Sequence, residues 1–162
     1  KGPEKAPVVM AVFSDFECAA CAGLVPVIDQ VAKAYPDRLK IVFKNFPLST
    51  HRNARAAAAG ALSAARQGKF WEFHDRLFAN NKDLNPRKLG EIAKEVGLDP
   101  AKLQQDLKDV LIIAALNRDV TDGVKAGVRG TPSVFINGRL LRDTSARGFQ
   151  EMIDKELNRQ KG

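Results

Sequence analysis

The stretch FECAAC, residues 16–21, holds the only two cysteines of the chain, separated by two alanines. Its flanks decide its meaning. On the N-terminal side, PVVMAVF, residues 7–13, is a short apolar run without alternation, as in a strand covered on both faces. Ser14 or Asp15 ends it. From the cysteines onward, Cys18, Cys21, Val25, Ile28, Val31 or Ala32, and Tyr35 recur at three- and four-residue spacing, the mark of one buried helical face. Pro26 falls inside that helix and is expected to kink it. Leu39 to Phe43 reads as a second strand. The order β-α-β implies a parallel pair joined by a right-handed crossover.

From Ser49 to about Val128 the pattern is helical, with about four helices. Asn53 to Gln67 is alanine-rich and stops at Gly68. Phe70 to Asn80 sets Phe70, Phe73 or His74, Leu77 and Phe78 on one face. Pro86 to Val96 is stopped by Gly97. Asp99-Pro100 is an N-cap followed by proline at the first helical position. The helix behind it is expected to bury Leu103, Leu107, Val110, Leu111 and Ala114 and to break near Asn117. Val110 to Leu116, the longest apolar run, suits a buried helix and is far short of the ~20 residues that span a bilayer. After Gly130-Thr131-Pro132, the apolar runs 134–136 and 140–141 flank Asn137-Gly138, a hairpin signal because a type I′ turn needs positive φ at both central positions. A last helix, about Ala146 to Asn158, buries Phe149, Met152, Ile153 and Leu157.

With 162 residues, 44% of them hydrophobic and 28% charged, the chain builds an ordinary core without disulfide staples. The net charge of +7 is spread along the sequence rather than clustered, which speaks against nucleic-acid binding and for a solvated surface. The N-terminus, Lys1 to Lys5, has no apolar central region and reads as a mature or trimmed chain from which a targeting segment has gone.

A cysteine at the first turn of a helix lies beside backbone N–H groups that lack helical partners, and the helix dipole favours its thiolate. Cys18 is so placed and is expected to be acidic and exposed; Cys21, one turn on, is expected to be more buried and less acidic. A bridge across four residues closes too short a loop to stabilise much. A zinc site lacks ligands, since no third cysteine exists and His51 and His74 lie more than 30 residues away in helical segments. A redox dithiol is the favoured reading, because CxxC beside β-α-β is a strong combination. Asp15 and Glu17 flank the site. Either would raise a cysteine pKa by like-charge repulsion, accept the proton of Cys21, or face water, the last favoured. Lys44 reads either as a partner of these carboxylates or as an outward edge residue; the two histidines read mainly as helix-packing or capping groups, with a role as base or ligand the lesser option.

Strand, CxxC, helix and strand, followed later by Thr131-Pro132 and a hairpin, resemble the thioredoxin superfamily. The helical insertion, with VFKNFPL at 42–48 and QGKFWEFHDRLF at 67–78, is similar to its DsbA-like thiol–disulfide oxidoreductases. The resemblance implies an α/β thioredoxin-like fold forming one DsbA-like domain. Residues 6–48 and 129–160 would make the core and 49–128 an all-helical insertion between its β-α-β and β-β-α halves. It implies a redox-active Cys18–Cys21 disulfide as the only redox group, with no metal or added cofactor. Pro132 would be a cis-proline and Thr131 the residue that contacts a substrate peptide. It further implies an exported, periplasmic or cell-envelope monomer that oxidises reduced polypeptides and is reoxidised by a membrane quinone-linked thiol oxidase. A reductase or isomerase with the same site, and a non-enzymatic copper carrier, are the alternatives. Strongly oxidising members often carry proline and histidine between the cysteines. Ala19 and Ala20 leave the thiolate to the helix terminus alone, so a milder potential than the ~−120 mV of DsbA is expected.

Overall fold

The computed structural model describes residues 1–162. Strand β1 (Val8–Ser14) is its hub. Helix α1 (Ala19–Ala34) crosses over to β2 (Leu39–Asn45), which lies parallel to β1 with Met10 opposite Ile41. The other edge of β1 pairs antiparallel with β3 (Ser133–Ile136), again at Met10, now opposite Ile136, and β3 turns back into the short β4 (Arg139–Leu140). The sheet order is β2-β1-β3-β4. Asn137 and Gly138 form the turn with φ of 47° and 79°, the two positive values a two-residue I′ loop requires.

Between β2 and β3 stand α2 (Ala54–Arg66), α3 (Phe70–Ala79), a single 3-10 turn at Asn81–Asp83, α4 (Pro86–Glu95), α5 (Pro100–Asp106) and α6 (Val110–Lys125); α7 (Ala146–Arg159) closes the chain. The alanines of α2 have a packing purpose. Ala57, Ala61 and Ala64 are fully buried, and a Cβ on Gly60 would already sit 3.2 Å from the Phe73 ring, so only small side chains let α3 come this close.

The apolar interior divides. One cluster packs one face of the sheet against α1 and α7, through Val8, Met10, Val31, Phe149 and Ile153. A second gathers Phe16, Ala57, Phe73, Leu77 and Ile92 among the inserted helices, and both cysteines belong to it. A small third cluster joins Phe13, Phe46 and Val128.

Three sequence expectations need correction. The helix after Asp99 breaks before Val110 rather than near Asn117. Asp109 turns the chain there and caps α6, its carboxylate accepting from the Leu111 N–H at 2.7 Å. The apolar start of α6 is not buried: Val110 and Leu111 are 75% and 67% exposed, and only Ile112 and Leu116 of that run reach the core. In α1, Leu24 rather than Val25 is the fully buried residue between Cys21 and Val31.

Candidate active site

The loop from β1 to α1 is tied down by its own acid. Asp15 is 1% exposed, and its carboxylate accepts from the Glu17 N–H and the Leu48 N–H at 2.7 Å each and meets His51 Nδ1 at 2.8 Å. Its carbonyl accepts from the Cys18 N–H at 3.1 Å. The favoured expectation that Asp15 faces water is thus overturned: backbone donors left over at the end of β2 need an acceptor, and this carboxylate is the one in reach. Glu17 turns to the start of α2, accepting from the Asn53 N–H at 2.7 Å and Asn53 Nδ2 at 3.1 Å. Both carboxylates hold backbone. Lys44 pairs with neither. Its ammonium lies 2.9 Å from Asp119 and 2.8 Å from Asp122 on α6. Burial alone would lower its pKa, but the bonds to these two aspartates outweigh that and raise it. Lys44 fastens α6 to the sheet.

Cys18 caps the N-terminus of α1 in extended conformation (φ −76°, ψ 119°), where the first helical N–H groups have no helical partner. Both cysteines are free thiols. Against the expectation of an exposed thiol, Cys18 is buried, at 8% exposed, and donates to the Thr131 carbonyl at 3.6 Å; Cys21 is deeper still, at 2%. Burial pushes the Cys21 thiol up to about 11, against the Ser14 and Thr131 hydroxyls and the Asp15 backbone, which favour its thiolate. The bond that the Cys21 thiol donates to Cys18 adds to the upward shift. Thr131 Oγ1 is buried and makes no well-formed hydrogen bond. The Thr131–Pro132 peptide bond is cis, and the Ser133 hydroxyl donates to the Gly130 carbonyl at 2.8 Å, closing that loop. Residues 113 positions apart in sequence therefore meet across the thiols.

Such a site can exchange disulfides: a shallower thiol at a helix terminus, a deeper one behind it, and a backbone carbonyl beside the first. The thioredoxin family model matches residues 1–155. The chain belongs to the thioredoxin family. Within it, the fold is that of the DsbA-like thiol–disulfide oxidoreductases. It superposes on oxidised BdbD from Bacillus subtilis with a TM-score of 0.88 at 24% identity, covering 97% of this chain and 91% of that one. For the thiol-disulfide exchange protein alpha-DsbA2 from Wolbachia pipientis the TM-score is 0.85 at 22% identity, covering 96% and 84%. A curated relative, the Na(+)/H(+) antiporter NhaA 3 of Salinispora tropica, is 35% identical over 140 residues. That match takes in 86% of this thioredoxin-family chain but spans only about a fifth, 21%, of the relative.

Sequence reasoning missed three parts of the site. Ser14 ends β1 at Cys21, His51 holds the Asp15 carboxylate, and His74 lies with Phe16, Phe43 and Phe78 within 6 Å of its ring. Only His74 left a signal, a polar residue on the apolar face of α3. No three His, Cys, Asp or Glu side chains gather anywhere as a metal site would require, and no helix is long and apolar enough to cross a membrane.

Proposed function

We propose that this chain is a disulfide donor: an extracytoplasmic thiol–disulfide oxidoreductase that oxidises reduced or extended polypeptides through Cys18 and Cys21. A substrate thiolate attacks Cys18 Sγ of the oxidised pair. The Cys18–Cys21 bond breaks, a mixed disulfide forms, and Cys21 leaves with the electron pair and takes a proton. The substrate's second thiolate then attacks its own sulfur in the mixed disulfide and expels Cys18 as thiolate. The substrate loses two electrons and the protein gains them. Thr131 and Pro132 would hold the substrate chain extended beside Cys18, and a membrane quinone-linked thiol oxidase would restore the disulfide. The dithiol is the only redox group this requires.

The depth of Cys21 supports the oxidising direction. Burial pushes the Cys21 thiol up to about 11, so little of it is thiolate at neutral pH and its return to the mixed disulfide is disfavoured unless its proton is taken away. A substrate's second thiol, at an ordinary pKa near 8.5, is ionised in roughly one in 30. This difference favours release of oxidised substrate over the back reaction. A location outside the cytosol fits, because disulfides persist there.

The test sets peptide oxidation beside insulin reduction for the wild type and Cys18→Ser. Fast oxidation of a dithiol peptide by the wild type, lost in C18S, is expected. Efficient insulin reduction with poor peptide oxidation would assign the reductase direction instead. Absence of both, with stoichiometric Cu(I) binding, would overturn the enzyme reading.

A further inference from the structure

Beside Cys21 lies a cavity of about 30 Å³, room for one or two waters. The buried Ser14, Cys21 and His74 line it together with the more exposed Asp29, Lys1 and Trp71, which mark its mouth. The rest of the wall is apolar, from residues such as Val12, Leu24 and Phe43. His74 is thus the one imidazole on the cavity that holds the deeper thiol. Asp75 Oδ1 engages its Nδ1 at 2.8 Å, which orients the ring and leaves Nε2 without a protein partner. Phe16, Phe43, Phe70, Trp71 and Phe78 hold the ring in place, with centroids 4.9–5.9 Å away. The bond to His74 in turn lowers the pKa of Asp75, keeping that carboxylate charged beside the ring.

We infer that His74 is the proton relay of Cys21: through water in this cavity, beside the Ser14 hydroxyl, it delivers the proton that Cys21 takes on leaving and removes it when Cys21 attacks. The inference rests on the proposed dithiol exchange and names the group that step lacks. When substrate thiolate attacks Cys18, the leaving sulfur is a weakly acidic, buried thiol, and such a thiolate leaves poorly unless protonated as the bond breaks. In the other direction the Cys21 proton passes to His74, the Cys21 sulfur bonds to Cys18, and the mixed disulfide's outer sulfur departs with the electron pair. Asp15 and Glu17 are held by backbone and Asn53, and no carboxylate other than Asp29, at the mouth, lines the cavity. The charged or titratable groups facing His74 are Asp75 on its own helix, Asp29 and Cys21 on α1, and Lys1, whose ammonium bonds Asp29 at 3.1 Å and stands over Trp71.

The experiment mixes the reduced protein with 5,5′-dithiobis(2-nitrobenzoate) and follows thionitrobenzoate release. The first equivalent reports attack by Cys18, the second resolution by Cys21. In His74→Phe, whose ring fills the same aromatic nest, the first phase is expected to be unchanged and the second to slow about 10²-fold at pH 7. The deficit should close at high pH, where hydroxide deprotonates Cys21 directly. Asp75→Asn, on the surface, should slow the second phase by a smaller factor with the same pH dependence. A wild-type second phase in H74F, or a loss that is equal at every pH, overturns the relay alone. A wild type that never releases the second equivalent overturns the exchange reading with it.

Discussion

The buried Cys21 thiol makes the stability of the reduced protein depend on alkaline pH, and Cys21→Ala isolates the effect. Its pKa moves from an ordinary 9.0 to about 11 on folding, chiefly because burial disfavours the charged form. Below pH 9 the thiol is protonated in both the native and the unfolded chain, and the burial does no harm. Between pH 9 and 11 the unfolded chain gives up the proton while the native one keeps it, so the native state binds more protons and stability falls as pH rises. Above pH 11 both states are ionised and the loss is complete. Two units at 1.36 kcal/mol each set a ceiling of roughly 3 kcal/mol, and a measured loss of about 1–3 kcal/mol is expected. The assay is urea denaturation at several pH values from 8 to 11, on wild type and C21A, both kept reduced. Lysine and tyrosine titration is common to the two, so the difference between their pH slopes belongs to Cys21. The oxidised wild type, which has neither thiol to titrate, should likewise lack the Cys21 loss. Parallel curves for reduced wild type and C21A across this range would refute the claim that the site desolvates this thiol.

Other expectations concern the scaffold. Gly123→Ala places a methyl 2.7 Å from the Phe46 ring and 3.1 Å from Phe13, and this overpacking should cost about 1–3 kcal/mol by denaturant titration while leaving thiol exchange intact. Ser145→Ala removes the hydroxyl that accepts from the Gly148 N–H at 3.1 Å at the start of α7, for a loss of about 1 kcal/mol by the same measurement. Asp15→Asn turns an amide donor towards one of two groups that themselves donate, the Glu17 or the Leu48 N–H. It should cost about 1–3 kcal/mol and also slow the Cys18 phase of thiol exchange, because the loop that carries Cys18 loosens.

The parts of this molecule legible in the sequence are those whose chemistry is local. The apolar run at 7–13, the CxxC at a helix start, Asn137-Gly138 and the Asp99-Pro100 cap each specify geometry within a few residues, and each is found where the pattern puts it. Thr131-Pro132 was legible only through family resemblance, since nothing in its own neighbourhood points to the cysteines. What stayed hidden depends on residues brought from afar. Asp15 is buried because the Leu48 N–H and His51 arrive from the far side of β2. Lys44 finds Asp119 and Asp122, more than 70 positions away, before it finds the acids next to the cysteines. The exposed start of α6 was misread because an apolar run announces burial without naming a partner, and Asp109 had already turned the helix outward.

Cys18 and Cys21 pack with the inserted helices, against residues such as Phe16, Ala57 and Phe73, and not with the sheet core. Closing or opening the pair must be accommodated by that cluster, so its packing free energy differs between the two oxidation levels. By reciprocity, whatever the helices contribute differently to the two forms appears in the equilibrium between them. The midpoint potential then depends on the helical block as well as on the six-residue motif. A substitution in α2 or α3 that favours one form by about 1.4 kcal/mol would move the potential by roughly 30 mV without touching a sulfur. With only alanines between the thiols, the helical insert is the tuning element left to selection, and lineages could adjust oxidising strength there while the motif itself stays fixed.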